Sequence, residues 1–419
     1  MKVIIFEDNQ YKDLFPLNML RASFDIKCGA LSVKNRIIKI LNGKYDVSLI
    51  CRDNIADLIS EMNEMEINNI PKDETLLLNG RVIFSGESLE KIITEKKKNT
   101  VNYLNGEIIY AYLTKGKMKE FKSEFEGSFF ADLNFKKYFE KAGLENRKIS
   151  ESESIFIMKY PWDAVKYLLQ GGLIEDLEIY LNTEKKIKQS KRNDNFINHK
   201  GIYISSKTTL NPGSVFDASE GKIVIEENCL IEPFCYIKGP VFIGKNTLVK
   251  SGTKIYGPCS IGKNSKVAGE IAESVFHSYV NKQHDGFAGH SYICPFVNLG
   301  ADTVTSDLKN NYSKIKINFE DKEIETGMQF LGSIIGDHSK TSINTMLNTG
   351  TIAGIFANIF GGGFPSKSIG SFSWNDGSSK PVPYLLEKAV KTAVTVMSRR
   401  GITLSKNYEK LMQLYSEKS

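Results

Sequence analysis

The chain of 419 residues lacks several features that would place it in a well-defined class of protein. Its six cysteines include no Cys-x-x-Cys pair and none of the spacings of a structural zinc site. No apolar run is long enough to cross a membrane, and the one at the amino terminus is too short for a secretory signal. The net charge of +6 comes without a dense stripe of Arg and Lys. We therefore expect a cytoplasmic protein with reduced cysteines and neither a membrane nor a nucleic-acid partner.

What the chain does have is a six-residue repeat. An aliphatic residue recurs at every sixth position from Ile225 to Val267, and a small or compact residue follows four positions after each of them as far as Ile261. Helices need a period of 3.6 residues and simple strands a period of two, so neither explains this pattern. A period of six predicts a parallel β-helix with three walls, one hexapeptide to each wall. The pattern resumes at Ile293 and is expected to end near Gly361-Gly362-Gly363.

The remaining segments show other periodicities. Short apolar strands alternate with helical spacing near the amino terminus, which indicates an α/β layer of the nucleotide-binding type. Its expected strands lie at 3–6, 47–51 and 76–78, and its expected helices at 21–44 and 54–62. The expected organisation is an α/β domain at 1–165, a helical arm at 166–200, the β-helix at 201–365, and a loop with amphipathic helices at 366–419.

The six-residue repeat is interrupted at about 268–292 and again at 304–334. Because a solenoid tolerates insertions only where they loop outward, we expect both stretches to form outward loops that carry the chemistry. In the second stretch, residues 315–319 read as the first strand of a hairpin that turns at Glu320-Asp321.

Three of the five histidines lie in the first interruption: His277, His284 and His290. A histidine in a glycine-flanked loop suits a general base, because its ordinary pKa lies near the working pH. Spacing alone leaves two alternatives open. The histidines could merely bind backbone carbonyls, or three of them could coordinate zinc.

Short motifs in and around this region point to a known family. They are Gly289-His290-Ser291-Tyr292, Val297 to Thr303, and Asn311-Tyr312. Their pattern resembles the acetyltransferase half of bifunctional glucosamine-1-phosphate acetyltransferase/N-acetylglucosamine-1-phosphate uridyltransferase enzymes. A divergent bacterial branch of that family is similar over nearly all of 1–415, through Arg21, Asn79-Gly80-Arg81, Tyr160-Pro161-Trp162-Asp163 and Asn281 to Phe287. The resemblance implies an α/β sugar nucleotidyltransferase domain, then a left-handed parallel β-helix that transfers acyl groups, then C-terminal helices.

The resemblance also implies roles for residues of the β-helix. His290 matches the general base that takes a proton from the sugar amine, and His284 is the rival base. The residues expected to bind the amino sugar phosphate are Asn298, Tyr292 and Lys282. The positions that match the coenzyme A groove are Ala301, Asn311, Tyr312 and Ser342. Asp302 replaces a glycine of the family and puts a carboxylate close to that groove.

The amino-terminal segment departs further from the family pattern. Sugar nucleotidyltransferases usually open with a glycine-rich loop that holds the triphosphate, whereas Glu7-Asp8-Asn9-Gln10 follows the first strand here. Asn79 stands about where the family has an aspartate that binds Mg²⁺. The cations, glycines and amide that could still hold a nucleotide are Arg21, Lys27, Gly29, Asn79, Gly80 and Arg81. The alternative is a degenerate domain that binds a nucleotide or only a partner.

The sequence thus predicts a two-domain transferase. One half acetylates glucosamine-1-phosphate, or a related amino sugar phosphate, with acetyl-CoA as co-substrate. The other joins the sugar-1-phosphate to a nucleotide from UTP with Mg²⁺, and the resemblance implies a homotrimer. Two alternatives stay open: a non-catalytic nucleotide-sensing scaffold, and a metal-dependent hexapeptide enzyme whose metal the sequence does not identify.

Overall fold

The computed structural model describes residues 1–123, 129–150, 154–184, 187–191, 194–319, 322–377 and 380–418. The chain divides into two compact units. The first comprises Met1–Ile26 and Leu31–Tyr160, and the second comprises Lys27–Ala30 and Pro161–Ser419.

The first unit is built on a mixed β-sheet. Its strands are β1 (Lys2–Phe6), β2 (Asp46–Ile50), β3 (Thr75–Asn79), β4 (Val82–Phe84), β5 (Thr100–Leu104), β6 (Glu107–Leu113), β7 (Glu145–Lys148) and β8 (Ile155–Ile157). Six of them form the sheet in the order β2-β1-β3-β6-β5-β7, and β4 pairs with β8 in an antiparallel ribbon. Strand β1 is parallel to both of its neighbours, which confirms the three strands expected from the sequence. The carboxyl ends of β1 and β3 therefore lie at the same edge of the sheet, and the residues that follow both strands meet there.

Helices cover this sheet. They are α1 (Val33–Leu41), α2 (Asp53–Met62), α3 (Gly86–Glu95), α4 (Lys115–Ser123), α5 (Phe129–Asp132) and α6 (Phe135–Lys141), with short 3₁₀ turns at Asn9–Leu14 and Ser23–Asp25. The expected helix at 54–62 is confirmed, but the one at 21–44 is wrong over its first half. The hydroxyl of Ser32 accepts a hydrogen bond from the Asn35 N–H, so Ser32 caps a helix that begins only at Val33.

The second unit is a parallel β-solenoid of the left-handed β-helix type, as the six-residue repeat predicts. The first wall contains Ile202–Ile204, Ile223–Ile225, Val241–Ile243, Cys259–Ile261, Val275–Phe276, Tyr292–Ile293, Ser333–Ile335, Thr351–Ala353 and Ser368–Ile369. The second contains Thr209–Leu210, Leu230–Ile231, Leu248–Val249, Lys266–Val267, Asn281–Lys282, Lys340–Thr341, Asn358–Ile359 and Ser373–Asn375, and the short strand Val382–Pro383 pairs antiparallel with the last of these. The third contains Phe196–Ile197, Val215–Asp217, Tyr236–Lys238, Lys254–Tyr256, Glu270–Ala272 and Phe287–Gly289, followed by the separate pair Val304–Thr305 and Met346–Leu347. The aliphatic residues of the repeat, such as Ile243 and Ile261, are fully buried.

The coils of the solenoid are not of equal length. Val241 pairs with Cys259 in the next coil, which is the regular step of one hexapeptide for each wall. Ser260 pairs with Val275, and Val275 pairs with Tyr292, and both of these steps are shorter than the regular one. The expectation that the first interruption loops outward is therefore wrong, because these coils lose residues and stay within the walls.

The second interruption is an outward loop, as expected. Tyr292 pairs with Ile334, although more than two regular coils of sequence separate them. The extra residues include an antiparallel hairpin of Lys316–Phe319 and Lys322–Glu325. The turn expected at Glu320-Asp321 lies outside the described residues.

From the second coil onward, the turn between the first and second walls places a residue in the left-handed backbone region. These residues are Asn228, Asn246, Asn264, Tyr279, Phe296, His338, Phe356 and Phe372. Asparagine adopts this conformation readily, whereas bulky side chains adopt it at a cost. From Tyr279 onward the rings stack on one another with centroids 4.6 to 4.9 Å apart. We call this column of stacked rings the aromatic ladder, and its stacking offsets the backbone strain.

Helices flank the solenoid in the sequence. They are α7 (Asp163–Tyr167), a π-helical turn at Leu168–Gly172, α8 (Leu173–Thr183), α9 (Leu386–Ser398) and α10 (Lys406–Ser416). The walls extend beyond the three glycines at 361–363 to Ser373–Asn375. As expected from their spacing, α9 buries Ala389, Ala393 and Met397 along one face. In the part of the chain that the structure describes, no helix combines the length and the apolar character needed to cross a membrane.

Candidate functional site

His290 occupies the turn between the third and first walls. Its φ of +45° lies in the left-handed region. Its backbone N–H donates to the carbonyl of Ala272 at 3.0 Å, and its own carbonyl accepts from the N–H of Gly332 at 2.9 Å. Hydrogen bonds to the preceding and following coils thus fix the backbone, and the residue is only 7% exposed.

Two carboxylates hold the imidazole ring of His290. Asp307 Oδ2 lies 2.8 Å from Nδ1, and Glu273 Oε2 lies 2.7 Å from Nε2. Glu273 comes from the equivalent turn one coil earlier, and Asp307 comes from the start of the outward loop. The ring of Phe330, near the end of the same loop, stacks on the imidazole with centroids 5.0 Å apart. The outward loop therefore supplies both a carboxylate and an aromatic face to the histidine.

Gly289 leaves room for this arrangement. A Cβ atom at this position would lie 2.4 Å from Oδ2 of Asp307. Any other residue would therefore displace the carboxylate that binds His290. The absence of a side chain at Gly289 is therefore what allows Asp307 to reach the imidazole of His290.

The carboxylates change the protonation of His290. Burial lowers its pKa, but the hydrogen bonds and charges of Asp307 and Glu273 outweigh burial and raise the pKa from 6.5 to about 9. At neutral pH the ring is therefore an imidazolium with a proton on each nitrogen. A histidine in this state can accept a proton only after it has released one.

The rival base and the expected substrate lysine lie elsewhere in the same coil. His284 is exposed, and its backbone carbonyl accepts a hydrogen bond from Lys282 Nζ at 2.9 Å. Lys282 Nζ also donates to the carbonyl of Ala268 at 3.0 Å, and the residue is 1% exposed. Burial lowers the pKa of Lys282 to about 8, against the charges of Asp285 and Asp302. Through these two hydrogen bonds, the ammonium of Lys282 stabilises the turn that carries His284.

Two other expected substrate residues lie on different walls. Tyr292 is fully buried in the first wall, and its hydroxyl accepts a hydrogen bond from the Lys27 N–H at 3.2 Å. Asn298 lies on the second wall, where its Oδ1 accepts from Asn281 Nδ2 at 2.5 Å. Within one chain, these side chains are engaged with partners other than His290.

The positions expected to line the coenzyme A groove form two pairs. Ala301 and Ser342 belong to adjacent coils at the turn after the second wall, where the Ala301 carbonyl accepts from the Asn344 N–H at 2.8 Å. Asn311 and Tyr312 are both exposed in the outward loop, Tyr312 to 67%. The structure thus places one pair on the solenoid and the other on the loop.

In the first unit, Arg81 is the centre of a buried network. Its guanidinium makes two hydrogen bonds of 2.7 Å to the carboxylate of Asp8 and one of 2.9 Å to Glu107. It also donates to Gln10 Oε1 at 2.7 Å and to the Met158 carbonyl at 2.9 Å. Burial opposes the charged form of Arg81, but Asp8 and Glu107 outweigh burial and raise its pKa. The residue is 1% exposed, so its charge is neutralised inside the protein.

Asn79 and Gly80 belong to the same edge of the sheet. Asn79 Nδ2 donates to Asp8 Oδ2 at 2.8 Å and to the Ile108 carbonyl at 2.7 Å. A Cβ at Gly80 would lie 2.8 Å from the Cβ of Phe24, so this glycine allows close packing. Arg21 is 5% exposed and donates to the carbonyl of Leu17.

A second buried ion pair lies beside this network. Arg52 Nη1 donates to Glu7 Oε1 at 2.6 Å, and both side chains are almost fully buried. Burial raises the pKa of Glu7, and the charge of Arg52 opposes that rise. Both acidic residues that follow β1 are therefore paired with arginines.

Lys27 and Gly29, also expected to bind the nucleotide, belong to the second unit. Burial lowers the pKa of Lys27 to about 8, against the charges of Glu226 and Asp176. The Gly29 carbonyl accepts a hydrogen bond from Ser260 Oγ at 2.6 Å, and a Cβ at Gly29 would lie 2.4 Å from Asp176 Oδ2. These two residues pack against the solenoid and α8.

Sequence reasoning missed Glu273, Asp307 and Phe330 as partners of His290. Asp307 was visible as an acidic residue at the start of the second interruption. No local sequence pattern marks Glu273 as a partner of His290. Its position in the equivalent turn of the preceding coil depends on the shortened coils. Among the described residues, no three His, Cys, Asp or Glu side chains are placed to hold a metal ion.

Comparison with known proteins gives a family for part of the chain. Residues 3–184 match the family model described as sugar nucleotidyl transferase. A bifunctional sugar-1-phosphate nucleotidylyltransferase/acetyltransferase of Sulfurisphaera tokodaii is 33% identical over 153 residues. That match covers 36% of this chain and 38% of the relative, so the chain spans well under half of the relative's length.

Two solved structures show a weaker likeness. One, described as a glucose-1-phosphate thymidylyltransferase from Bacillus anthracis in complex with sucrose, is 14% identical with a TM-score of 0.26 and is matched over 38% of this chain and 90% of its own. The other, a UDP-N-acetylglucosamine acyltransferase from Arabidopsis, is 13% identical with a TM-score of 0.23 and is matched over 50% of this chain and 78% of its own. TM-scores of this size do not establish a common fold. The match to the sugar nucleotidyl transferase family model thus covers residues 3–184, less than half of the chain, and a β-solenoid of the left-handed type follows that segment.

Proposed function

We propose that this protein is a bifunctional transferase that acetylates an amino sugar phosphate and joins a sugar-1-phosphate to a nucleotide. The default substrates are glucosamine-1-phosphate, acetyl-CoA and UTP. The cluster of Glu273, His290 and Asp307 on the solenoid is the observation that carries the acetyl transfer. The family match of residues 3–184 supports the nucleotidyl transfer.

In the proposed acetyl transfer, the acceptor amine attacks the thioester carbonyl of acetyl-CoA. The C–N bond forms, the C–S bond breaks, and coenzyme A leaves as a thiolate that is then protonated. His290 takes the proton that the amine loses, and it does so in its neutral form. The side chain of Glu273 is 36% exposed against 18% for Asp307, so Glu273 is the partner better able to release its nitrogen to the substrate. Asp307 then holds the ring in place through Nδ1.

The test is the release of coenzyme A from acetyl-CoA with glucosamine-1-phosphate. We expect His290→Ala to lower the rate by about 10²–10⁴-fold, which is the usual contribution of a general base. His284→Ala is the matched control, because His284 is exposed and outside the cluster. If the His290→Ala variant releases coenzyme A at the wild-type rate, His290 is not the base. Loss of activity in the control alone would transfer the role to His284.

The nucleotidyl half is tested separately, with pyrophosphate release from UTP as the readout. Magnesium does not fit the strand edge as it stands, because both oxygens of Asp8 accept hydrogen bonds from Arg81. Pyrophosphate release that depends on the sugar phosphate supports the transferase.

A second candidate for the amino-terminal unit is nucleotide binding without transfer. The internal neutralisation of Arg81 favours it, because this cation is already engaged by carboxylates. Calorimetric binding of UTP without any pyrophosphate release would select this function over catalysis.

Location and assembly complete the proposal. The six free cysteines are all buried, which suits a reducing compartment, and we place the protein in the cytoplasm. The homotrimer implied by the family resemblance stays a prediction. Light scattering coupled to size-exclusion chromatography measures it directly, and a monomeric mass would contradict it.

A further inference from the structure

The outer face of the second wall carries a column of polar residues. Residues that pair from coil to coil along this face are, in order, Leu248, Lys266, Asn281, Asn298, Lys340, Asn358 and Trp374. The five polar members lie between an apolar residue at one end and an aromatic residue at the other. Because neighbouring strands lie about 4.8 Å apart, these five span roughly 19 Å. We call this set, from Lys266 to Asn358, the polar column.

Lys340 in this column carries a positive charge without an acidic partner. Its Nζ donates to the carbonyl of His338 at 2.7 Å, and it forms no ion pair with a carboxylate in the described ranges. Burial lowers its pKa to about 8. A largely buried ammonium without a counter-ion is unfavourable, so this position gains from a bound anion.

Asn358, the neighbour of Lys340 in register, has an unused donor. The residue is only 7% exposed, and its Nδ2 has no hydrogen-bond partner in the described structure. Buried amide groups normally donate to an acceptor, so the unpaired Nδ2 of Asn358 indicates that an acceptor from outside the chain binds here. Both Lys340 and Asn358 thus offer hydrogen atoms to an acceptor on the same face.

The other end of the column lies among further cations. Burial lowers the pKa of Lys266, and the charges of Arg400, Arg399 and Lys250 lower it further. Burial and Arg399 likewise lower the pKa of Arg400. None of these four side chains forms an ion pair with a carboxylate where the structure is described. A bound anion would reduce their mutual repulsion.

We propose that the polar column and the adjoining arginines bind a small molecule through its phosphate or diphosphate group. Ammonium, guanidinium and amide donors are typical phosphate partners, and the column contains no carboxylate that would repel such a ligand. A column one residue wide suits a small organic or inorganic phosphate. The site is distinct from His290, which lies at the turn between the third and first walls.

The direct test is calorimetric titration of the full-length protein with inorganic pyrophosphate. We expect wild type to bind it and both Lys340→Gln and Asn358→Leu to weaken binding by about tenfold each, since these two neighbours in register each offer one hydrogen-bond donor. Lys391→Gln on α9 is the control, because Lys391 is exposed and lies outside the polar column. Thermal unfolding of each variant confirms that it is folded.

Absence of pyrophosphate binding to wild type overturns the proposal, as does unchanged binding in either column variant. Competition then identifies the natural source of the phosphate. Displacement, by coenzyme A, UTP or glucosamine-1-phosphate, of the pyrophosphate whose binding Lys340→Gln weakens assigns the site to that compound. Because binding is measured without turnover, a protein that binds pyrophosphate but releases no coenzyme A contradicts the acetyltransferase and leaves this site intact.

Discussion

At the scale of single residues, the protonation of His290 sets the conditions for the proposed acetyl transfer. The ring is held by Asp307 at one nitrogen and by Glu273 at the other, so its proton is bound more tightly than in an ordinary histidine. The neutral form that accepts a proton becomes abundant only near pH 9. Two experiments follow from this arrangement.

Glu273→Gln is expected to shift the pH dependence of acetyl transfer to lower pH. The wild-type kcat/KM should rise up to about pH 9, and the loss of one carboxylate removes part of the effect that raises the pKa of His290. The measurement is kcat/KM against pH for the variant, wild type and His284→Ala. The acceptor amine titrates equally in all three, so identical profiles for Glu273→Gln and wild type would contradict the role of Glu273.

The same pKa predicts how stability depends on pH. The pKa of His290 is raised on folding from 6.5 to about 9, so its contribution is fully present below pH 6.5 and is lost as the pH rises through 9. We therefore expect wild type to lose more unfolding free energy over this range than His290→Gln. Urea denaturation at several pH values measures the difference, and parallel curves for the two proteins would be inconsistent with the prediction.

The sequence singled out His290 as a candidate base but gave no indication of its partners. A histidine between glycine and serine in a repeat interruption stands out by type and position. Glu273 precedes it and Asp307 follows it by about one coil each, and whether they reach the ring depends on the lengths of individual coils. The roles expected for the other site residues stay predictions, and their partners within the chain could not be read from local pattern.

At the scale of structural elements, the aromatic ladder stabilises the later turns of the solenoid. Phe356 is 1% exposed and stacks between His338 and Phe372, with centroids 4.6 and 4.8 Å away. Phe356→Ala should lower the unfolding free energy by about 3–5 kcal/mol, the usual cost of deleting a buried phenyl group. Phe364→Ala is the control, because Phe364 is 59% exposed. Equal midpoints of urea unfolding in the two variants would show that the ladder contributes little.

The network at the edge of β1 and β3 makes a comparable prediction for the first unit. Arg81→Ala leaves the carboxylates of Asp8 and Glu107 without their buried cation. We expect it to cost about 3–5 kcal/mol of stability, as is usual when one partner of a buried ion pair is removed. Circular dichroism during urea unfolding measures this. A stable variant that has lost only UTP binding would instead support the nucleotide-binding role.

At the scale of the whole molecule, the reactivity of the cysteines reports whether the fold opens. All six are buried thiols, and burial raises the pKa of Cys259 to about 12 and that of Cys229 to about 11. The reactive thiolate is therefore scarce in the folded protein. A thiol reagent should label none of them in native protein and six after denaturation. Rapid labelling of native protein would show that part of the fold opens readily.

The two units differ in how far the sequence could predict them. The solenoid repeats one structural unit, so the positions of Ile225, Ile243 and Ile261 already define its first wall. The mixed sheet depends on pairings between distant strands, such as β3 with β6, which no local period records. Strand positions in the first unit were therefore predictable, whereas the buried pairing of its arginines was not.

The shortened coils determine where the histidine can stand. The turns at Gly257, Glu273 and His290 follow one another more closely than regular coils allow, and the regular spacing would put the third turn at Ile293. The number of residues between 258 and 289 therefore fixes the position of His290. Inserting or deleting one residue there would move His290 out of the turn between the third and first walls. The outward loop contacts the imidazole through Asp307 and Phe330 near its two ends, so its middle is less constrained in length than the segment from 258 to 289.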